Sequence, residues 1–270
     1  MTPSFIYGTA WKKDATTELV KTAVRNGFRA IDTANQPKHY SEALVGEAVS
    51  ALAAEGISRD MLFLQTKFTP LDGQDNRVPY NPELPLREQV QQSFQSSLRH
   101  LNTSRLDSYL LHGPYSYPGL SAADWEVWSA LEEIHRSGGA GMIGISNVNA
   151  VQLAALVEKA IVKPMVVQNR CFANRGWDRE VRQFCRANEI MYQGFSLLTA
   201  NPLVLRHPPM VAIAQRLGVN PEQVVFCFAM QAGMTPLTGT TDEQHMKEDL
   251  KALDIKLTSE EMNFLEKGGQ

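Results

Sequence analysis

Short, continuous apolar runs alternate with longer amphipathic stretches along the whole 270-residue chain. Residues 28–31, 61–65, 106–111, 142–145, 165–168 and 190–195 read as strands covered on both faces, because burial of both faces abolishes polar–apolar alternation. Between them, a period of about 3.6 residues predicts helices over 16–25, 42–54, 87–100, 122–135, 150–159 and 178–187. Punctuation agrees: Gly27, Gly56 and Gly138-Gly139 follow helical patterns, and Asn149 precedes one. Residues 5–7 and 236–238 bring the strands to eight, and 220–233 and 258–267 add two further helices. Eight strand–helix units in this length predict an α/β fold, a closed (β/α)8 TIM barrel in a single domain over residues 1–270. An open doubly wound sheet needs fewer strands.

Composition removes several classes of function. Hydrophobic residues are 43% and charged residues 20%, as in ordinary globular proteins, and the net charge is −3. Neither nucleic acid nor an anionic membrane has an electrostatic reason to bind such a chain. The N-terminus shows no targeting pattern and no apolar run approaches the ~20 residues that span a bilayer. Cys171, Cys185 and Cys227 are scattered, as expected of reduced thiols. The expectation is a cytoplasmic protein, monomeric or weakly homo-oligomeric, acting on a small molecule.

Two patterns mislead. Residues 139–144 fit GxGxxG, but they follow a helix and open a strand, the reverse of a dinucleotide fingerprint. Trp125 and Trp128 fall three apart on a predicted helix, a packing arrangement. The six histidines show no metal-ligand pairing, so no metal is expected.

The informative residues are polar groups ending predicted strands, where barrel chemistry collects. Asp32, Lys67 and His112 close three successive strands, and Gln168 closes a later one. An acid, an amine and an imidazole brought together set each other's protonation. In this context the chain resembles the aldo-keto reductases. The resemblance runs from Gly8-Thr9 to about Leu257, through residues 27–34 (GFRAIDTA), Glu42 to Gly46, Thr66-Lys67-Phe68, residues 107–112 (DSYLLH), Gly144-Ile145-Ser146-Asn147, Val167-Gln168-Asn169 and Gly194-Phe195-Ser196.

That resemblance implies reduction of aldehydes or ketones by hydride transfer from NADP(H), with NAD(H) as the alternative cofactor. It implies a catalytic set of Asp32, Tyr40, Lys67 and His112, in which Lys67 makes the Tyr40 phenol a stronger acid. Counting back from Gly46 puts His39 in the tyrosine column; Tyr40 is preferred because the chemistry requires a phenol. Cofactor contacts are expected from Gly8, Thr9, Ser146, Asn147, Gln168, Phe195, Ser196, Leu198, Thr238, Gly239, Thr240, His245 and Asp249, with Phe195 stacked on the nicotinamide. The family's usual 2′-phosphate cations are replaced by Gly239 and His245, and backbone amides of the last helix are expected to help hold phosphate. The N-terminal hairpin and long C-terminal loop common in the family are expected to be lacking, giving an open site lined by Trp11, Phe68, Tyr80, Tyr115, Tyr117 and Trp177. A cofactor-binding regulatory subunit of the same fold, as in potassium channels, is the rival reading. A non-redox barrel enzyme would leave Ser146, Asn147, Gln168 and Phe195 without a joint role.

Overall fold

A computed structural model describes residues 2–267; Met1 and 268–270, the ends of the expected single domain, lie outside it. Eight parallel strands close into a barrel in chain order: β1 Ile6–Gly8, β2 Ala30–Asp32, β3 Phe63–Phe68, β4 Leu106–Leu111, β5 Ala140–Ser146, β6 Val166–Arg170, β7 Met191–Phe195 and β8 Met234–Thr238. Helices α1 (Thr16–Arg25), α2 (Glu42–Ala54), α3 (Leu86–His100), α4 (Ala122–Arg136), α5 (Ala150–Lys159) and α6 (Arg179–Ala187) follow the first six strands. After β7 come α7 (Pro202–Leu205), α8 (Pro208–Leu217) and α9 (Pro221–Gln231), and after β8 come α10 (Glu243–Lys251) and α11 (Ser259–Glu266). No described helix is long and apolar enough to cross a membrane.

Three differences from the sequence reading have local causes. β2 begins at Ala30, because the Phe28 amide still bonds the Ala23 carbonyl at the end of α1. β3 begins at Phe63 because Arg59–Met61 winds into a 3-10 turn. Helix α8 is not among the predicted helices; it opens on Pro208-Pro209, in the first helical turn, where a missing N–H leaves nothing unpaired.

The main apolar core lies between the barrel and its helices, while Ile6, Ala30 and Phe63 cluster separately with Met142 and Leu237 inside it. Trp128 belongs to the outer layer, buried with its indole N–H on the Val162 carbonyl at 3.1 Å. The GxGxxG decoy lies across the entry to β5, and its last glycine has a packing role: a Cβ on Gly144 would stand 2.1 Å from the Val166 carbonyl oxygen. Gly144→Ala should therefore push β5 and β6 apart and lower stability by about 1–3 kcal/mol, read as a lower denaturant midpoint with an unchanged slope.

Candidate active site

A cavity of about 920 Å³ opens over the C-terminal ends of the strands. Behind it, the Lys67 ammonium, 0% exposed, bonds Asp32 Oδ1 and Oδ2, both at 2.7 Å, and the Thr33 carbonyl at 2.8 Å. All three ammonium hydrogens are thus committed. Burial pulls the Lys67 pKa below the ordinary amine value, and the Asp32 charge opposes that shift. Asp32 Oδ1 also accepts from Gln65 Nε2 at 2.7 Å and from Gln168 Nε2 at 3.0 Å.

The Tyr40 and His112 rings lie in front of this pair, their centroids 6.0 Å apart, and Lys67 Nζ is 5.5 Å from the Tyr40 ring centre. His39 is turned away: its ring stacks on Trp11 at 3.9 Å, and its Nδ1 is 3.0 Å from Gln36 Oε1. Both Tyr40 and His39 border the cavity, but only the Tyr40 ring faces Lys67 and His112.

The Tyr40 phenol differs from expectation. Burial raises its pKa, the Asp32 charge raises it further, and Arg170 opposes them. Lys67 directs no hydrogen at the phenol, since Asp32 Oδ1, Asp32 Oδ2 and the Thr33 carbonyl take all three. His112 is shifted the other way. Enclosure of its ring, then the charges of Lys67 and His39, hold its pKa well below the ordinary imidazole value, and its Nδ1 is 2.7 Å from Thr69 Oγ1.

Of the expected cofactor contacts, Gly8, Ser146, Asn147, Gln168, Phe195, Ser196, Leu198, Thr238, Gly239, Thr240, His245 and Asp249 line the cavity. Thr9 does not; it is buried, with its amide and hydroxyl on the Asp32 carbonyl. Ser146 Oγ donates to the Gln168 carbonyl at 2.7 Å, and Asn147 Nδ2 donates to the His112 carbonyl at 2.9 Å. Asn147 and Ser196 have left-handed backbones (φ 55° and 56°), a conformation that Asn tolerates and Ser seldom adopts.

The expected aromatic lining is mostly elsewhere. Trp11 borders the cavity, but Phe68 is buried against Tyr80, whose hydroxyl donates to the Thr69 carbonyl at 2.9 Å. Tyr115 packs on the core, Tyr117 is 84% exposed outside the cavity, and Trp177 is buried with its indole N–H on the Leu265 carbonyl. Phe68 and Tyr80 cover each other with ring centroids 5.4 Å apart, and Trp177 lies 5.2 Å from Phe228 of α9, so these rings are satisfied away from the cavity.

Two cations escaped the sequence reading. Lys12, in the loop after β1, reaches across to the Gly239 carbonyl, bringing a positive charge to one of the two positions expected to lack a cation. Arg170, at the end of β6, holds its guanidinium 5.3 Å from the Phe195 ring centre. Both were legible only as charged residues near strand ends. The amide donors of α10 are less free than expected, since Asp242 accepts from the His245 amide at 3.0 Å. Thr238 Oγ1 bonds Asp249 Oδ2 at 2.7 Å, and burial pushes the Asp249 pKa up to about 6.

The model of the Aldo/keto reductase family matches residues 5–268, and the chain belongs to that family. It is 32% identical to an oxidoreductase of Bacillus subtilis over 248 residues, 92% of this chain and 81% of that protein. It is 31% identical to an NADPH-dependent codeinone reductase of Papaver somniferum, covering 96% of this chain and 84% of that one. The fold matches an aldo-keto reductase from a deep-sea metagenome with a TM-score of 0.85 at 23% identity, over 99% of this chain and 92% of that chain. The chain is therefore an NAD(P)-dependent oxidoreductase of the carbonyl-reducing class, and the regulatory-subunit alternative finds no support.

His112 supplies a test of the electrostatics. Its folded pKa is depressed while the unfolded value stays near 6.5, so below that pH only the unfolded chain takes up the proton. Stability should fall on acidification by up to about 1.4 kcal/mol per pH unit from this group, and His112→Gln should lessen the loss. Denaturant midpoints of both proteins at about pH 5 and about pH 7.5 measure it.

Proposed function

We propose that this protein reduces aldehydes or ketones to alcohols with Tyr40 as proton donor, using NADP(H) or NAD(H). The observation that carries this reading is the meeting, in one cavity, of the Tyr40 and His112 rings with the residues expected to hold the cofactor. A dinucleotide fits the chemistry of the lining. Gln168 Nε2 has both hydrogens committed to Asp32 and Gln193, which leaves Oε1 as an acceptor for a carboxamide. Ser146 and Asn147 stand beside it, and Phe195 offers a flat ring for stacking. When bound, the reduced nicotinamide supplies the hydride.

The protein's own groups handle the carbonyl and the proton. Tyr40 stays protonated across the physiological range, so it can donate a hydrogen bond to the carbonyl oxygen and give up its proton as negative charge develops there. His112 stays neutral. With Thr69 as donor to its Nδ1, the Nε2–H is free to orient the same oxygen. Asp32 and Lys67 act from behind, fixing the floor against which Tyr40 rests. Tyr40→Phe should cut kcat by about 10² to 10⁴ and leave cofactor affinity nearly unchanged, whereas His39→Phe should do much less. Steady-state kinetics with an aldehyde panel decide, and a reversed order places the proton donor at His39.

Cofactor preference turns on Lys12, Asp249 and Glu248 at the other end of the cavity. Lys12 attracts a 2′-phosphate near Gly239, while ionised Asp249 repels it. Preference for NADPH should grow as pH falls through about 6 and Asp249 takes up a proton. Asp249→Asn should raise the preference about tenfold at neutral pH and flatten its pH dependence, read from kcat/KM for NADPH and NADH.

A further inference from the structure

Inside the barrel, Gln65 and Gln168 bond Asp32 and Gln193 links the two; of the three, only Gln168 meets the cavity. Gln168 on β6 and Gln193 on β7 are direct cross-strand partners. Gln65 on β3 faces Gln193 across the barrel, since β3 and β7 stand opposite in an eight-strand ring. Gln168 similarly reaches Asp32 on the opposite strand β2. All three side chains are nine-tenths or more buried.

The orientation of each amide follows from chemistry. Asp32 is a carboxylate paired with Lys67 and only accepts, so the ends of Gln65 and Gln168 that meet it are their NH₂ groups. The second hydrogen of each goes to Gln193 Oε1, at 2.7 and 2.9 Å. Gln193 Nε2 then donates to Gln65 Oε1 at 3.0 Å and points its other hydrogen at Met191 Sδ, 3.5 Å away. Within the triad, every amide hydrogen and two of the three carbonyl oxygens are engaged. The uncommitted acceptor is Gln168 Oε1.

We propose that Gln193, with Gln65, is a positioning residue that locks Gln168 with its carbonyl toward the cavity, and so sets the site's hold on a carboxamide donor. The inference rests on the reading of the cavity as a dinucleotide site with Gln168 against the nicotinamide amide. Without Gln193 Oε1, one hydrogen of Gln168 and one of Gln65 lose their acceptor in a buried place, and the Gln168 amide gains freedom to turn. Rotation presents a donor to a donor.

Two variants test this in the intact protein. Gln193→Leu removes the acceptor. Gln193→Glu is a near-isostere whose protonated form reproduces the glutamine: its carbonyl oxygen accepts from Gln65 and Gln168, and its hydroxyl donates to Gln65 Oε1. Its ionised form sets a carboxylate oxygen against Gln65 Oε1 in a network that already contains Asp32. The charged groups of that network are Asp32 and Lys67, with Tyr40 and His112 in front of them. Burial beside Asp32 places its titration above the ordinary carboxylate value of about 4.3.

Titration calorimetry is run with NADPH and with adenosine 2′,5′-bisphosphate, which has the phosphates but no nicotinamide. Wild type should bind both. Gln193→Leu should weaken NADPH about ten- to a hundredfold and the bisphosphate less than about twofold. Gln193→Glu should resemble wild type for both ligands at about pH 5.5, where its protonated form supplies the same acceptor and the same donor. Unchanged NADPH affinity in Gln193→Leu, or equal loss of both ligands in that variant, overturns the positioning role. If Gln193→Leu fails to fold, Gln193→Met, which keeps the length of the side chain without the amide oxygen, takes its place with the same expected outcome. A wild type that binds the bisphosphate but gains nothing from the nicotinamide half overturns this inference while leaving the phosphate end of the cleft standing. A wild type that binds neither overturns the dinucleotide reading and this inference with it.

Discussion

The ion pair between Asp32 and Lys67 is buried, with only Asp32 touching the cavity, and such a pair is tolerated only when each partner's remaining hydrogen-bonding capacity is met. Moving one such ion from water into a dry interior costs of order 20 kcal/mol in the idealised limit and several kcal/mol after relaxation. Here the ammonium has three oxygen acceptors, and Asp32 Oδ1 takes three donors. Those donors arrive from β3 and β6, on different walls of the barrel. A closed parallel sheet is the structure that can bring them there. The pair and the barrel therefore depend on each other: closure supplies the ligands, and the pair forces the interior to be polar and fully bonded at this level.

From that floor the site opens outward in order of decreasing constraint. The amides and the ion pair have almost no freedom. Tyr40 and His112 stand on them, with enclosure keeping the phenol protonated and the imidazole neutral. Beyond lie residues at strand ends whose backbones adopt left-handed conformations, Asn147 and Ser196, and Trp11 in the first loop. Such conformations persist where surrounding bonds over-determine them, and here the Trp11 amide is tied to the His39 carbonyl and the Asn147 side chain to the His112 carbonyl. At the far end the charge is mixed: Lys12 lies against Gly239 while Asp249 and Glu248 border the same space. A phosphate there meets attraction and repulsion together, and protonation can change the balance.

Much of this was legible in the residues because burial on both faces leaves a plain signature. The strands and most of the helices follow from apolar runs and caps, and Asp32, Lys67, His112 and Gln168 were visible as polar groups at the ends of those runs. Gln65 and Gln193 carried no such signal. Unlike Gln168, neither belongs to a motif that carries the resemblance, and nothing along the chain shows that both side chains are enclosed within the barrel. The aromatic residues failed for the opposite reason: ring size indicates a capacity to bury area, and says nothing of whether a substrate or a helix will cover it.

The sequence by itself determined the strand–helix alternation, the closure into a barrel and the side of the barrel on which chemistry collects, because these depend on local periodicity and on the direction of each strand. Tertiary structure decided which groups meet across the ring. The direction of the Tyr40 shift, the cation brought by Lys12 to Gly239 and the locking of Gln168 by residues from opposite walls all arise between strands far apart in the chain. Through-space fields and hydrogen bonds fall off over a few ångströms, and no spacing along the sequence encodes those distances.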